Sequence, residues 1–215
     1  MLSSATVESR EKSEPRPSAF LASAGLAVAA LSTGAITLML AGLLPAARFT
    51  RERIEIVVRP DAIEVDGLYV YEGFLPIPWS QGLRVPFPTG GGQEAPATVL
   101  AELVDPAGGP PTPLAVVWYL GVPLFSVPVS SAAPSTVRVR FTQRVSGGEA
   151  TYLLTTTRPW GAPLEHAEYA LLPRCVEITS SSLGGEGLEV SRDGFFPSKD
   201  WRFGWRDRGP TCTDG

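Results

Sequence analysis

The chain has a single histidine, His166, in the segment Leu164-Glu165-His166-Ala167-Glu168, and two thiols, Cys175 and Cys212. A histidine flanked by carboxylates is material for acid–base or metal chemistry. Either chemistry needs more residues at set spacings. The sequence contains no Gly-x-Ser-x-Gly elbow, no His-Glu-x-x-His helix, no Cys-x-x-Cys pair and no phosphate-cradling Gly-x-x-x-x-Gly-Lys loop. One His, two Met and two distant Cys do not furnish a copper, zinc or haem site from this chain alone. Glu165, His166 and Glu168 therefore read as a solvated turn at a strand end, unless a second chain completes them. The expectation is a protein that is not an enzyme, with no catalytic residue, no cofactor and no metal of its own.

Composition narrows the field further. Of 215 residues, 44% are hydrophobic, 19% are charged, 21 are Pro and 22 are Gly, with a formal net charge of −4. Proline is roughly twice as frequent as usual and charge is below average, which argues against a helical bundle and against a charged disordered chain. No basic block marks a nucleic-acid surface, so nucleic acid is excluded as a partner.

From Pro17 to Ala47, between Arg16 and Arg48, no residue is charged. At about 1.5 Å per residue this stretch is long enough to cross a hydrocarbon core of roughly 30 Å, so residues 18–47 are expected to form one transmembrane helix. A cleaved secretory signal has a much shorter apolar core and a small-x-small exit, whereas here the best exit is Pro45-Ala46-Ala47. Gly25 with Ala29 and Ala30 with Gly34 have the spacing that lets a second helix approach closely. An Ala-rich composition with no docking role is the plainer reading. No ionisable residue sits inside the span, which therefore carries no proton or ion path.

Residues 1–17 mix acids and bases with two prolines and are expected to be flexible and cytoplasmic. Arg10, Lys12 and Arg16 precede the span and Arg48, Arg51, Arg53 and Arg59 follow it, so the positive-inside count is nearly balanced. Both thiols follow the span, and a lone pair suits an oxidising compartment. The expected topology is that of a single-pass protein of a bacterial inner membrane, with its N-terminus cytoplasmic and its C-terminal domain periplasmic.

Beyond Arg48 the pattern has period two. Ile54-Glu55-Ile56, Ile63-Glu64-Val65 and Val137-Arg138-Val139-Arg140-Phe141 alternate apolar with charged residues. Further β-rich runs cover 68–71, 97–103, 114–120, 151–157, 168–172 and 176–179, with turns expected at Asp66-Gly67, Gly90-Gly91-Gly92, Gly108-Gly109, Gly147-Gly148 and Gly184-Gly185. The expected class is mainly β. One N-terminal transmembrane helix leads into an antiparallel β-sandwich, immunoglobulin-like or related, over 48–194, followed by an aromatic C-terminal tail over 195–215.

Three apolar segments are candidates for contact with partners. In 73–88, Phe74, Trp79 and Phe87 interleave with four prolines; the stretch is either a docking platform or a crossover covering the sandwich mouth. The run 118–125, apolar on both faces, reads by default as core. In the tail, Trp201, Phe203 and Trp205 share one face of a strand, as interface anchors or as an aromatic core. Cys175 and Cys212 are either a disulfide stapling this tail or two buried thiols.

Two functions fit these features. The first is a non-catalytic accessory subunit of a large inner-membrane complex, respiratory, photosynthetic or secretory. Its helix packs against other integral membrane subunits and its domain caps them. The alternative is a membrane-tethered periplasmic binding module for a lipid, a small apolar ligand or a client protein.

Overall fold

Ile54, Ile56 and Val58 alternate with Arg53, Glu55 and Val57, so the first strand has one face to bury. A computed structural model describes residues 47–184, 188–209 and 212. The expected transmembrane segment, with Gly25, Ala29, Ala30 and Gly34, lies outside the described residues apart from Ala47. Among the described residues no helix is long and apolar enough to cross a membrane. Strand β1 spans Ala47–Val58, so the last residue assigned to the span is already strand.

The strands that follow are β2 (Ala62–Gly73), β3 (Trp79–Arg84), β4 (Val99–Val104), β5 (Thr112–Pro113), β6 (Val117–Tyr119) and β7 (Val122–Val129). They continue with β8 (Ser135–Arg144), β9 (Glu149–Tyr152), β10 (Leu164–Pro173), β11 (Val176–Ser181), β12 (Glu189–Phe195) and β13 (Trp201–Asp207). The one helical element described is a 3₁₀ segment, Thr155–Trp160, whose first amide and hydroxyl both donate to Asp200 Oδ1, at 2.9 and 2.7 Å.

The protein is mainly β. A seven-stranded sheet, in the order β12-β10-β1-β2-β8-β4-β5, is covered by two three-stranded sheets, β11-β13-β9 and β3-β7-β6. Pairing is antiparallel except between β1 and β10, which run parallel with Arg51 opposite His166. Buried residues of all three sheets join one core, giving a sandwich-like arrangement with more strands than an immunoglobulin domain holds. Rings cross between the layers: Tyr169 stands 5.6 Å from Trp201, and Phe87 stands 4.7 Å from Phe141.

Two local features fix which side chains enter that core. In β1 the register shifts between Phe49 and Arg51, and both Phe49 and Thr50 are buried. The bulge changes the parity of the strand, so Glu52 falls on the buried side with Ile54. In β2, Asp66-Gly67 is not the turn its residue types suggest but lies in mid-strand. The Tyr69 ring folds back over Gly67, whose absent side chain would stand 2.5 Å from the Tyr69 hydroxyl.

The Pro-rich segment behaves as a crossover. β3 lies at a sheet edge, where Pro-rich flanks are tolerated. Beyond it, Gln143 Nε2 donates to the carbonyls of Pro88 and Glu94, at 3.3 and 2.9 Å. Gln93 exchanges two hydrogen bonds with the Thr151 backbone. These buried amides satisfy the backbone where prolines interrupt the ladder.

The tail belongs to the domain: β13 is the central strand of its sheet, between β11 and β9. Cys175 and Cys212 form a disulfide with Cα atoms 5.4 Å apart, tying the β10–β11 turn to the chain beyond β13.

Candidate functional site

His166 lies within β10, on the outer face of the large sheet, and not in the turn expected for it. Its Nδ1 is 2.6 Å from Asp193 Oδ1 on β12, and its Nε2 is 3.0 Å from Glu168 Oε1. Asp193 first and Glu168 second hold the imidazole above its usual pKa. Both ring nitrogens are committed to carboxylates, so the trio bridges two strands and offers no free nitrogen as a base. Among the described residues no group of three or more His, Cys, Asp or Glu is placed to hold a metal ion.

The rest of that outer face is a charge ladder across the strands. Glu165 and Glu168 stand on β10, Arg48, Arg51 and Arg53 on β1, Glu64, Asp66 and Glu72 on β2, Arg138 and Arg140 on β8, and Glu102 on β4. Arg48 bridges Glu72 and Glu165 at 3.0 and 2.9 Å, Arg138 forks onto Asp66, and Arg140 meets Glu102 at 2.9 Å. A shallow concavity of about 490 Å³ opens here, lined in part by Glu55, Glu64, Asp66, Leu100 and Arg140. These charges are already paired: Glu55 with Arg53 on its own strand, Glu64 with Arg59 in the β1–β2 turn, and, across strands, Asp66 with Arg138 and Arg140 with Glu102. A ligand would have to break those pairs.

Sequence reasoning missed a second polar group, inside the core. Glu52 is buried and accepts a hydrogen bond from the Tyr169 hydroxyl, while the hydroxyls of Tyr69 and Tyr152 meet at 2.7 Å. Burial pushes the Glu52 carboxyl up to about 7, against the downward pull of the Tyr169 bond. Burial likewise raises Tyr69, Tyr71, Tyr152 and Tyr169, and the Glu52 charge adds to each. The signal was present in the sequence: counting back by twos from Val58, Ile56 and Ile54 reaches Glu52. Glu52 is 4% exposed and Tyr169 2%, in the same core as Phe49, Tyr71 and Trp201.

The partner-interface candidates separate sharply. Trp201, Phe203 and Trp205 are buried, Trp201 at 1% exposure, and Trp201 Nε1 donates to Ser181 Oγ at 3.0 Å. Trp79 and Phe87 are half-buried against the core. Phe74 is 53% exposed.

The run from 118, expected by default to be core, supplies the most exposed apolar surface. Val117 is 63%, Tyr119 64% and Leu120 86% exposed. Val117 pairs with Leu124 and Tyr119 with Val122, so these four share the outward face of the β6–β7 hairpin. At its tip both Leu120 and Gly121 have positive φ, 50° and 77°. Asn-Gly is the favoured pair in such a turn, and Leu there is strained. No residue from Pro106 to Val137 carries a charge.

No protein-family model matches the chain, and no curated protein matches it in sequence. Among solved structures, it is similar to a "putative nutrient binding protein" from Legionella pneumophila, with a TM-score of 0.57 and 12% identity over 75% of this chain and 67% of that one. A weaker likeness, with a TM-score of 0.41 and 10% identity, is to an M1 zinc metallopeptidase from Deinococcus radiodurans, of whose length this chain spans 43%. At such identity the likeness to the Legionella protein is one of fold.

Proposed function

We propose that this chain is a non-catalytic accessory subunit of a large inner-membrane assembly. In this reading it is anchored through residues 18–47 and holds its disulfide-bonded β-domain in the periplasm, where the β6–β7 hairpin docks on partner subunits. The observation that carries the reading is the hairpin itself. An uncharged face of Val117, Tyr119, Val122 and Leu124, with a strained Leu120 standing 86% exposed at the tip, costs folding free energy that only a partner repays. The disulfide supports an oxidising compartment. Catalysis draws no support from the residues on the outer face, whose charges are taken up by one another.

The hairpin gives a test in which stability and function move in opposite directions. Asn tolerates positive φ, so Leu120→Asn in the full chain should gain about 1 kcal/mol and raise the melting temperature by roughly 2–4 °C. The same variant, combined with Tyr119→Thr, should fold normally yet be lost from its membrane partners after mild detergent extraction. Retention of the variant at wild-type stoichiometry would overturn docking through the hairpin.

The tethered binding module is the second reading, and the concavity on the outer face is what favours it. Under that reading, Asp66→Asn and Arg140→Gln would abolish ligand binding while the hairpin variant left it intact.

A further inference from the structure

Three exposed apolar side chains lie at one end of the domain, where the chain joins β1. Ala47 pairs with Gly73, so the β2–β3 connection, with Phe74 at 53% and Ile77 at 59% exposure, begins beside the first residue of β1. This connection is held there by hydrogen bonds. Ser131 N donates to Leu75 O at 2.7 Å, Ser130 Oγ to Pro76 O at 3.1 Å and Gly73 N to Ser130 O at 3.0 Å. On the other side, β10 runs parallel to β1 and Leu164 pairs with Phe195, which brings Phe196, 44% exposed, to the same end. The Arg158 guanidinium lies 5.8 Å from the centre of the Phe196 ring, and Lys199 is exposed in the same loop.

The chain outside the described residues says what covers this end. Residues 1–46 lead directly into β1, and the charge-free stretch reaches Ala47 with no linker after it. A membrane anchor that ends there tethers the Ala47 end of the sheet, and no other end, to the bilayer surface. Aromatic and aliphatic side chains with neighbouring Arg and Lys are the residue types that settle at the headgroup boundary.

We infer that the domain seats end-on upon the phospholipid surface, with Phe74, Ile77 and Phe196 entering the headgroup boundary and Arg158 and Lys199 lying against lipid phosphates. The inference rests on the anchored reading above and adds a second lipid contact made by the β-domain itself. The β6–β7 tip then points away from the bilayer. β7 runs from the tip to Val129, opposite Trp79 near the seated end, and spans roughly 23 Å at about 3.3 Å per residue.

The full chain, reconstituted in vesicles of phosphatidylcholine and phosphatidylglycerol in equal parts, tests this. Ile77→Cys and Leu120→Cys are labelled separately with an environment-sensitive fluorophore, the native cysteines being joined to each other. The lipids carry a nitroxide quencher just below the headgroup. In floated vesicles the label at position 77 should lose most of its emission and the label at 120 almost none. Equal emission at the two positions, quenched or unquenched, in vesicles that float with the protein overturns end-on seating and leaves the anchor standing. Failure of the chain to float with the vesicles overturns the anchor and the seating together.

Discussion

Trp201→Ala is expected to cost about 3–5 kcal/mol, the range for truncating a large aromatic in a packed core. Trp201 is buried between Tyr169 and Phe203, with ring centres 5.6 and 5.3 Å away, and its indole N–H has Ser181 Oγ as partner. The truncation therefore opens a void, while the hydroxyl of the exposed Ser181 turns to water. For a domain of this size the melting temperature should fall by on the order of 10 °C. Thermal denaturation of the detergent-solubilised full chain, followed by circular dichroism, measures it. An unchanged transition would mean that the face of β13 is not core. Truncating Phe74, by contrast, should leave the transition almost where it was.

Glu52→Gln should remove a loss of stability that the domain otherwise suffers as the pH rises. In the unfolded chain the carboxyl titrates near 4.5, and in the fold burial moves it up to about 7. Below 4.5 the group is protonated in both states and imposes no penalty. Between the two values the unfolded chain has lost its proton while the fold still holds one, so each step up in pH destabilises the fold. Above 7 both are ionised and the full penalty, about 3 kcal/mol, persists. Gln keeps an oxygen to accept from Tyr169 but carries no charge. At about pH 9 the variant should be more stable than the parent by up to about 3 kcal/mol, and at about pH 5 most of that advantage should vanish. Urea denaturation across the range checks this. A stability difference that stays flat with pH would show that Glu52 ionises as freely in the fold as in the unfolded chain.

The period-two patterns around Ile54, Ile63 and Val137 lie on β1, β2 and β8, three adjacent strands of the large sheet. Alternation reads out a half-buried strand directly, since one face must be apolar. The same rule fails where geometry is set by a distant residue. Asp66-Gly67 has the composition of a turn, yet Gly67 is there to leave room for the Tyr69 ring. No local rule gives the parallel pairing of β1 with β10, because the two strands are more than a hundred residues apart in the chain.

The apolar runs show a related limit. Val117 to Tyr119 and Trp201 to Trp205 are both rich in aromatic residues, but the first is an edge strand and the second lies in a central one. Hydrophobicity alone does not tell core from exposed surface; position in the sheet does. The charge ladder is likewise invisible in sequence, where it appears as scattered Arg and Glu. Only the strand order brings acidic β10, basic β1, acidic β2, basic β8 and acidic β4 side by side.

The central claim, a membrane-anchored subunit held by its partners, is tested most directly by weighing the protein as it leaves the membrane. Extraction in a mild detergent, followed by size exclusion with mass determination of the protein component, should find the 22.9 kDa chain in a much heavier particle. Other integral membrane proteins should accompany it at a fixed stoichiometry. Extraction as a lone chain of its own mass, or its release into the aqueous phase without detergent, would contradict the account.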